Sequence, residues 1–183
     1  MISLANLKKS SLGNQNIDFE MCNSEDFHSN RDWDLAVSLF FMLGYQVSDT
    51  SLLETFQTVR SSLRTGGIFA FDFWYGPSVI KKGCAPTEIH IETSDHKMTR
   101  KSFPAILIED SCLTIKQSYH IYDKKTEEYH NFDEVHIVRY FFENQLSSFL
   151  KKSGFELIRF EAFMGHKPLK ETDWAGMAFA KAN

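Results

Sequence analysis

The sequence predicts an α/β fold that carries an inserted antiparallel β segment. Three observations point there: nearly continuous apolar runs at residues 34–43 and 68–73, an amphipathic helical stretch between them, and a change to period-two alternation beyond Pro77. A single core is affordable in size. The chain has 183 residues, 43% of them hydrophobic, with 17 Phe, 6 Tyr and 3 Trp. A domain of this length buries roughly 70% of the surface its unfolded chain exposes.

In chain order, residues 17–21 (Ile-Asp-Phe-Glu-Met) alternate apolar and polar positions and predict a short strand, followed by a polar loop over residues 22–32. The run 34–43 predicts a strand buried on both faces, as in a parallel sheet. Ser48 or Asp49 can cap a helix whose apolar positions Leu52, Leu53, Phe56, Val59 and Leu63 recur at helical spacing, with Gly66-Gly67 as its stop. Residues 68–73 give the second buried strand, so residues 34–73 form a β-α-β unit with both strand ends on one side. Ligands of such sheets sit beyond the carboxyl ends of the strands, here at residues 44–46 and 72–75.

Residues 87–93, 98–103, 105–109, 113–122 and 128–140 read as strands of an antiparallel sheet, broken by Asp, Lys, Gly or Pro. A helix at 143–153 and a strand pair at 155–163 and 174–181 close the first sheet. We therefore expect one domain over residues 1–183, with its scaffold at 1–80 and 141–183 and its insert at 81–140.

Composition excludes several function classes. A formal charge of −4, from 20 basic and 24 acidic side chains, lacks the basic surplus of nucleic-acid binders and of proteins that bind anionic membranes. No apolar run reaches the roughly 18 residues of a membrane span, and the N-terminus lacks a signal peptide's apolar region, so a cytoplasmic protein is expected. Cys22, Cys84 and Cys112 are odd in number and in no CxxC spacing, which favours reduced, structural thiols. The seven His residues show no metal-ligand spacing, and no metal is expected.

The runs Ser38-Leu-Phe-Phe-Met-Leu-Gly-Tyr-Gln46, Gly66-Gly-Ile-Phe-Ala-Phe-Asp-Phe-Trp-Tyr-Gly-Pro77 and Glu134-Val-His-Ile-Val-Arg-Tyr-Phe-Phe142 together resemble a class I S-adenosylmethionine-dependent methyltransferase, nearest to the small-molecule and amino-sugar N-methyltransferases. The resemblance covers essentially the whole chain. It implies a Rossmann-like sheet, mostly parallel with an antiparallel last strand, and S-adenosylmethionine as cofactor. The acceptor would be a small polar molecule such as an amino sugar, lying under the added β segment.

Three departures are visible. The family's Gly-rich first strand and its acidic second strand have no counterpart, and residues 1–9 resemble the helix that follows them. The expectation is an N-terminally truncated fold with its first two strands missing. Such a chain would expose strand edges that a partner chain or a homo-oligomer covers, and it would be inactive alone or serve as a non-catalytic remnant or subunit. Cys22-Asn23 stands where the family usually has Gly-Asp against adenine, and Phe41 stands where relatives commonly place His.

On the matched segments, the resemblance implies cofactor contacts at Asn23, Asp26, Phe27, Phe40 and Tyr45, and acceptor contacts at Asp72, Trp74 and Tyr75. Six of them have a plainer reading: Asp26 and Phe27 as loop anchors, Tyr45, Trp74 and Tyr75 as core, Asp72 as a turn former. Methyl transfer to an amine needs little beyond alignment and an unprotonated nucleophile, so a His or carboxylate within reach suffices. His136 and Glu134 are the candidates, with Arg139 as an orienting cation. Alternation puts 134 and 136 on one strand face, where a structural polar ladder is the competing reading.

Overall fold

In the computed structural model, which describes residues 1–13, 16–29 and 32–183, the strands sort into two four-stranded sheets. Residues 30 and 31 of the expected polar loop lie outside the described residues.

The first sheet is built from β1 (Trp33–Ser38), β2 (Leu63–Trp74), β8 (Ala175–Ala182) and β7 (Phe155–Ala162), in that order across the sheet. β1 and β2 run parallel, with Leu35 opposite Ile68 and Ser38 opposite Phe71, so their carboxyl ends meet as the β-α-β reading requires. β8 is antiparallel to both β2 and β7, so β1, β2 and β7 share one direction and the strand last in sequence runs against them, as expected, although two of the three pairings are antiparallel.

Helix α2 (Asp49–Ser62) connects β1 to β2, and its cap is Ser48, whose hydroxyl accepts the Ser51 N–H at 3.0 Å. Leu52 and Phe56, four residues apart on one face, are fully buried. They pack with Phe69, Phe71 and Phe73 of β2, with Leu146 and Leu150 of α4 (Glu143–Lys152), and with Phe155 of β7. Phe56 stands 5.9 Å from both Phe69 and Phe71, ring to ring.

The opposite edge of this sheet is bare. Among the described residues β1 pairs with β2 alone, and Leu35 and Val37 stay 54% and 51% exposed. The strand expected at residues 17–21 is accordingly not formed: the segment is irregular, because an isolated β segment has no ladder to satisfy its backbone. Helix α1 (Ile2–Ser11) is present and has no buried residue.

Three local boundaries differ from the periodicity. Leu63 is buried as the first residue of β2, not as the last turn of α2, and burial alone does not distinguish the two. The sheet register jumps from Trp33–Leu63 to Leu35–Ile68, so residues 64–67 bulge out. Gly66 takes φ +81°, and a Cβ on Gly67 would sit 2.9 Å from the Arg64 carbonyl; the pair shapes a bulge rather than ending the helix. Third, Gly76-Pro77 opens a short helix, α3 (Gly76–Lys82), with proline in its first turn.

The second sheet holds β3 (Thr87–Glu92), β4 (His96–Leu107), β5 (Cys112–Asp123) and β6 (Tyr129–Arg139), all antiparallel and in sequence order. The two strands expected on either side of Pro104 are one. Proline is tolerated there because β3 pairs with β4 only as far as Ser102, so the missing N–H falls on a free edge. Val79 of α3, Leu113 of β5 and Tyr140 form a second small core with Trp74 and Trp174 against it, which ties this sheet to the end of β2.

Glu161 of β7 supplies an acid-sensitive tie. The hydrogen bond from Arg159 (2.6 Å), together with the charges of Arg159 and His166, holds its carboxyl below the usual glutamate value. A carboxyl depressed in the folded state stabilises above its unfolded value, near pH 4.3, and loses that contribution as pH falls through the folded value. Glu161→Gln is thus expected to lower the thermal midpoint at neutral pH, and the gap from wild type should narrow as pH falls below the unfolded value and through the lower folded one. A gap independent of pH in a melting series would contradict this.

Candidate functional site

The carboxyl ends of β1 and β2 are joined by an unusual turn. Phe40 and Phe41 both adopt left-handed backbone conformations, with φ of 63° and 59°. Their N–H groups donate to the two carboxylate oxygens of Asp72, at 2.9 and 2.8 Å. The chain then turns through Met42–Tyr45 and brings Tyr45 against β6. Gly44 makes that approach possible, since a Cβ there would sit 2.7 Å from Val138 Cγ1.

β6 delivers Glu134, His136 and Val138 to one face, and β5 adds Ile115, Gln117 and Tyr119 by register: Gln117 opposes Glu134 and Ile115 opposes His136. With Phe40, Phe41, Tyr45 and Trp74 they enclose a cavity of about 310 Å³. Tyr45 Oη lies 3.2 Å from His136 Nδ1, and His136 Nε2 lies 3.3 Å from Glu134 Oε2, so the three groups form a hydrogen-bonded chain. Phe41 stacks obliquely on Trp74 at 5.8 Å, and Tyr119 donates to Gln117. The lining holds aromatic faces and a carboxylate but no Lys or Arg.

Tyr45 also borders a second cavity of about 510 Å³, together with Asn23, Ser24, Ser38 and Gln46. This one continues into a groove of about 620 Å³ along β1, lined by Phe27, Leu35, Val37 and Phe69 among others. The loop at 23–26 is braced by Gln46 Nε2 donating to Ser24 Oγ (2.9 Å) and by Ser24 against Thr55 (3.0 Å).

No protein-family model matches the sequence, and no curated protein matches it. Solved structures do. An S-adenosylmethionine-dependent methyltransferase from Clostridium acetobutylicum ATCC 824 superposes with a TM-score of 0.80 at 19% identity, over 99% of this chain and 70% of that one. The sugar N-methyltransferase KedS8 from Streptoalloteichus sp ATCC 53650 gives 0.75 at 15% identity, over 100% and 69%. CalS10, an amino pentose methyltransferase from Micromonospora echinaspora, gives 0.70 at 11%, over 98% and 71%. The fold is that of the S-adenosylmethionine-dependent methyltransferases.

Within this methyltransferase fold the residues singled out in the sequence separate into groups. Glu134, His136, Tyr45, Trp74 and Phe40 share the smaller cavity; Asn23 and Tyr45 share the second, and Phe27 faces the groove beside it. Tyr45 therefore stands between the two, and Phe40, grouped with the cofactor residues by sequence, lies on the other side. Asp26 accepts from Asn23 Nδ2 at 2.9 Å and borders an outward cleft with His28 and Glu54, which makes it a brace of the loop.

Three expectations are corrected. Arg139 does not face the cavity: it is 5% exposed, pairs with Asp49 at 2.8 Å and lies over the rings of Phe141 and Phe149 at 5.6 and 5.3 Å. Its odd position on β6 places it on the face opposite Glu134 and His136. Tyr75 turns away from Trp74 into the main core against Phe160 at 6.1 Å, and burial, with Glu143 and Glu171 nearby, pushes its hydroxyl pKa up. Asp72 is 1% exposed and both its oxygens are taken by main-chain N–H groups, so it presents nothing to an acceptor.

Phe41, Gln117 and Tyr119 join the cavity without having been singled out as ligands. The period-two pattern of β5 carried the signal for the last two, but only a known register against β6 turns it into a position beside Glu134. Among the described residues no group of three or more His, Cys, Asp or Glu could hold a metal ion, and no helix is long and apolar enough to cross a membrane. Cys112 is buried and its thiol pKa is raised by that burial, the setting of an inert structural thiol.

Proposed function

We propose that these residues form the acceptor-binding half of an S-adenosylmethionine-dependent N-methyltransferase that acts on a small polar amine of the amino-sugar kind. The observation that carries this reading is the Tyr45–His136–Glu134 chain in an aromatic cavity at the carboxyl ends of two parallel strands. A wall with aromatic faces and one carboxylate favours a cationic guest. A sugar N-methyltransferase and an amino pentose methyltransferase are among the superposing structures, which supports the same acceptor class.

One tautomer satisfies the whole chain: Tyr45 donates to Nδ1 while Nε2–H donates to Glu134. An acceptor arriving as an ammonium passes a proton to the Tyr45 oxygen as Tyr45 passes its own to Nδ1, and Glu134 steadies the resulting imidazolium. The amine then carries the free lone pair that attack on a methyl donor would require. The second cavity, beyond Tyr45, is where the cofactor's nucleoside end would lie, with Asn23 and Gln46 as polar groups and Met42 and Leu43 as apolar ones. The cofactor supplies an electrophilic methyl group.

A second reading, a non-catalytic subunit, is favoured by one observation: the open apolar edge of β1 beside that cofactor cavity. We propose that a partner segment or second copy covers this edge, and that the 183 residues alone bind cofactor weakly. Calorimetry with S-adenosylmethionine tests the point. Weak or undetectable binding is expected, with labelled methyl transfer to amino sugars appearing only when the edge is covered; micromolar affinity of the chain by itself would refute the weak-binding part.

A further inference from the structure

We propose that Asp72 is a positioning residue: its carboxylate latches the Phe40–Phe41 turn, and through that turn it sets the aromatic wall of the acceptor cavity. The left-handed region is unfavourable for any residue with a Cβ, and two such residues in succession do not hold themselves. Phe40 has no burial to compensate, since it is 85% exposed. What holds the pair is electrostatic. Successive N–H groups in such a turn point to one side and form a concave anion-binding nest. Here the nest is filled by a carboxylate of the same chain, one oxygen per N–H, at 2.9 and 2.8 Å.

The position of Asp72 explains why the device is stiff. It lies near the carboxyl end of β2, an inner strand of the sheet, one residue past the last β1 pair, and is flanked by Phe71 and Phe73, which point to the other face and are fully buried. Opposite it on β8 is Met177. The latch is therefore anchored to the best-packed strand, and the turn it grips carries Phe41 onto Trp74 at 5.8 Å and toward Phe163 at 6.3 Å. Released, the turn would leave the left-handed region, and both rings would move off the cavity. This inference uses the acceptor reading for its consequence, while the latch itself stands on the hydrogen bonds and the two backbone angles.

Asparagine at this position offers one carbonyl oxygen and one NH2, so one of the two N–H groups must lose its partner. In Asp72→Asn we expect the far-UV spectrum to be kept and amide hydrogen exchange at Phe40 or Phe41 to quicken by about tenfold or more. The Trp74 indole proton should shift as the Phe41 ring leaves it. Glycine enters the left-handed region freely. Asp72→Asn should therefore cost less in thermal midpoint in a Phe40→Gly background than in the wild type, a rescue that a merely structural carboxylate would not show. Unchanged exchange at both amides, or an equal cost in the two backgrounds, would overturn the proposal. Should Asp72→Asn fail to fold, Phe40→Gly alone decides: a raised midpoint supports the latch and a lowered one overturns it. None of these readouts involves cofactor or acceptor, so they fail or succeed independently of the methyl-transfer reading.

Discussion

His136→Ala is expected to lower methyl transfer to an amine acceptor by about 100- to 10,000-fold, the usual contribution of a positioned acid–base group. The side chain is held at both ends, by Tyr45 at Nδ1 and Glu134 at Nε2, so its loss leaves the Tyr45 hydroxyl without a group to pass its proton to. The effect should fall mainly on kcat, because the aromatic walls that hold the acceptor stay in place. Glu134→Gln keeps the shape and removes the charge, and a smaller loss concentrated in KM is expected for a cationic acceptor. Rates under saturating cofactor with the β1 edge covered, measured across pH, check both. A His136→Ala rate within a few fold of wild type would show that the chain Tyr45–His136–Glu134 is only a structural ladder.

Phe71→Ala should cost about 3–5 kcal/mol of folding stability, the range for removing a fully buried aromatic side chain. Phe71 touches Phe56 of α2 at 5.9 Å and Phe69 at 4.7 Å within β2, so a cavity there has aromatic walls that cannot collapse without moving the helix. The same strand carries Asp72 and Trp74, so the loss should also loosen the site. Urea unfolding would measure the cost, and a loss under about 1 kcal/mol would mean that the core is not organised around β2.

The scaffold was legible where one face of an element is buried and local. Leu52 and Phe56 announced α2, and the run at 68–73 announced β2, because both bury apolar side chains against each other. The turn at Phe40–Phe41 was not legible: nothing in a Phe-Phe pair signals a left-handed conformation, and its cause is a carboxylate 32 residues away. Residues 17–21 carry the alternation of a strand, but a strand exists only with a neighbour, and sequence pattern does not report the neighbour. Another error was avoidable. Parity along β6 already put Arg139 on the face opposite His136. Gln117 and Tyr119 needed the β5–β6 register, which the Asp123 turn fixes through N–H donation from Lys125 and Thr126.

The cavity between the two strand ends and β6 is expected to receive an amine. Nuclear magnetic resonance titration of the chain with a simple amino sugar, and in parallel with its N-acetyl form, addresses it without requiring turnover. The amino sugar should shift the His136 ring and Trp74 indole signals, and the N-acetyl form, which carries no basic nitrogen, should leave them in place. Equal shifts from both sugars, or none from either, would contradict the account.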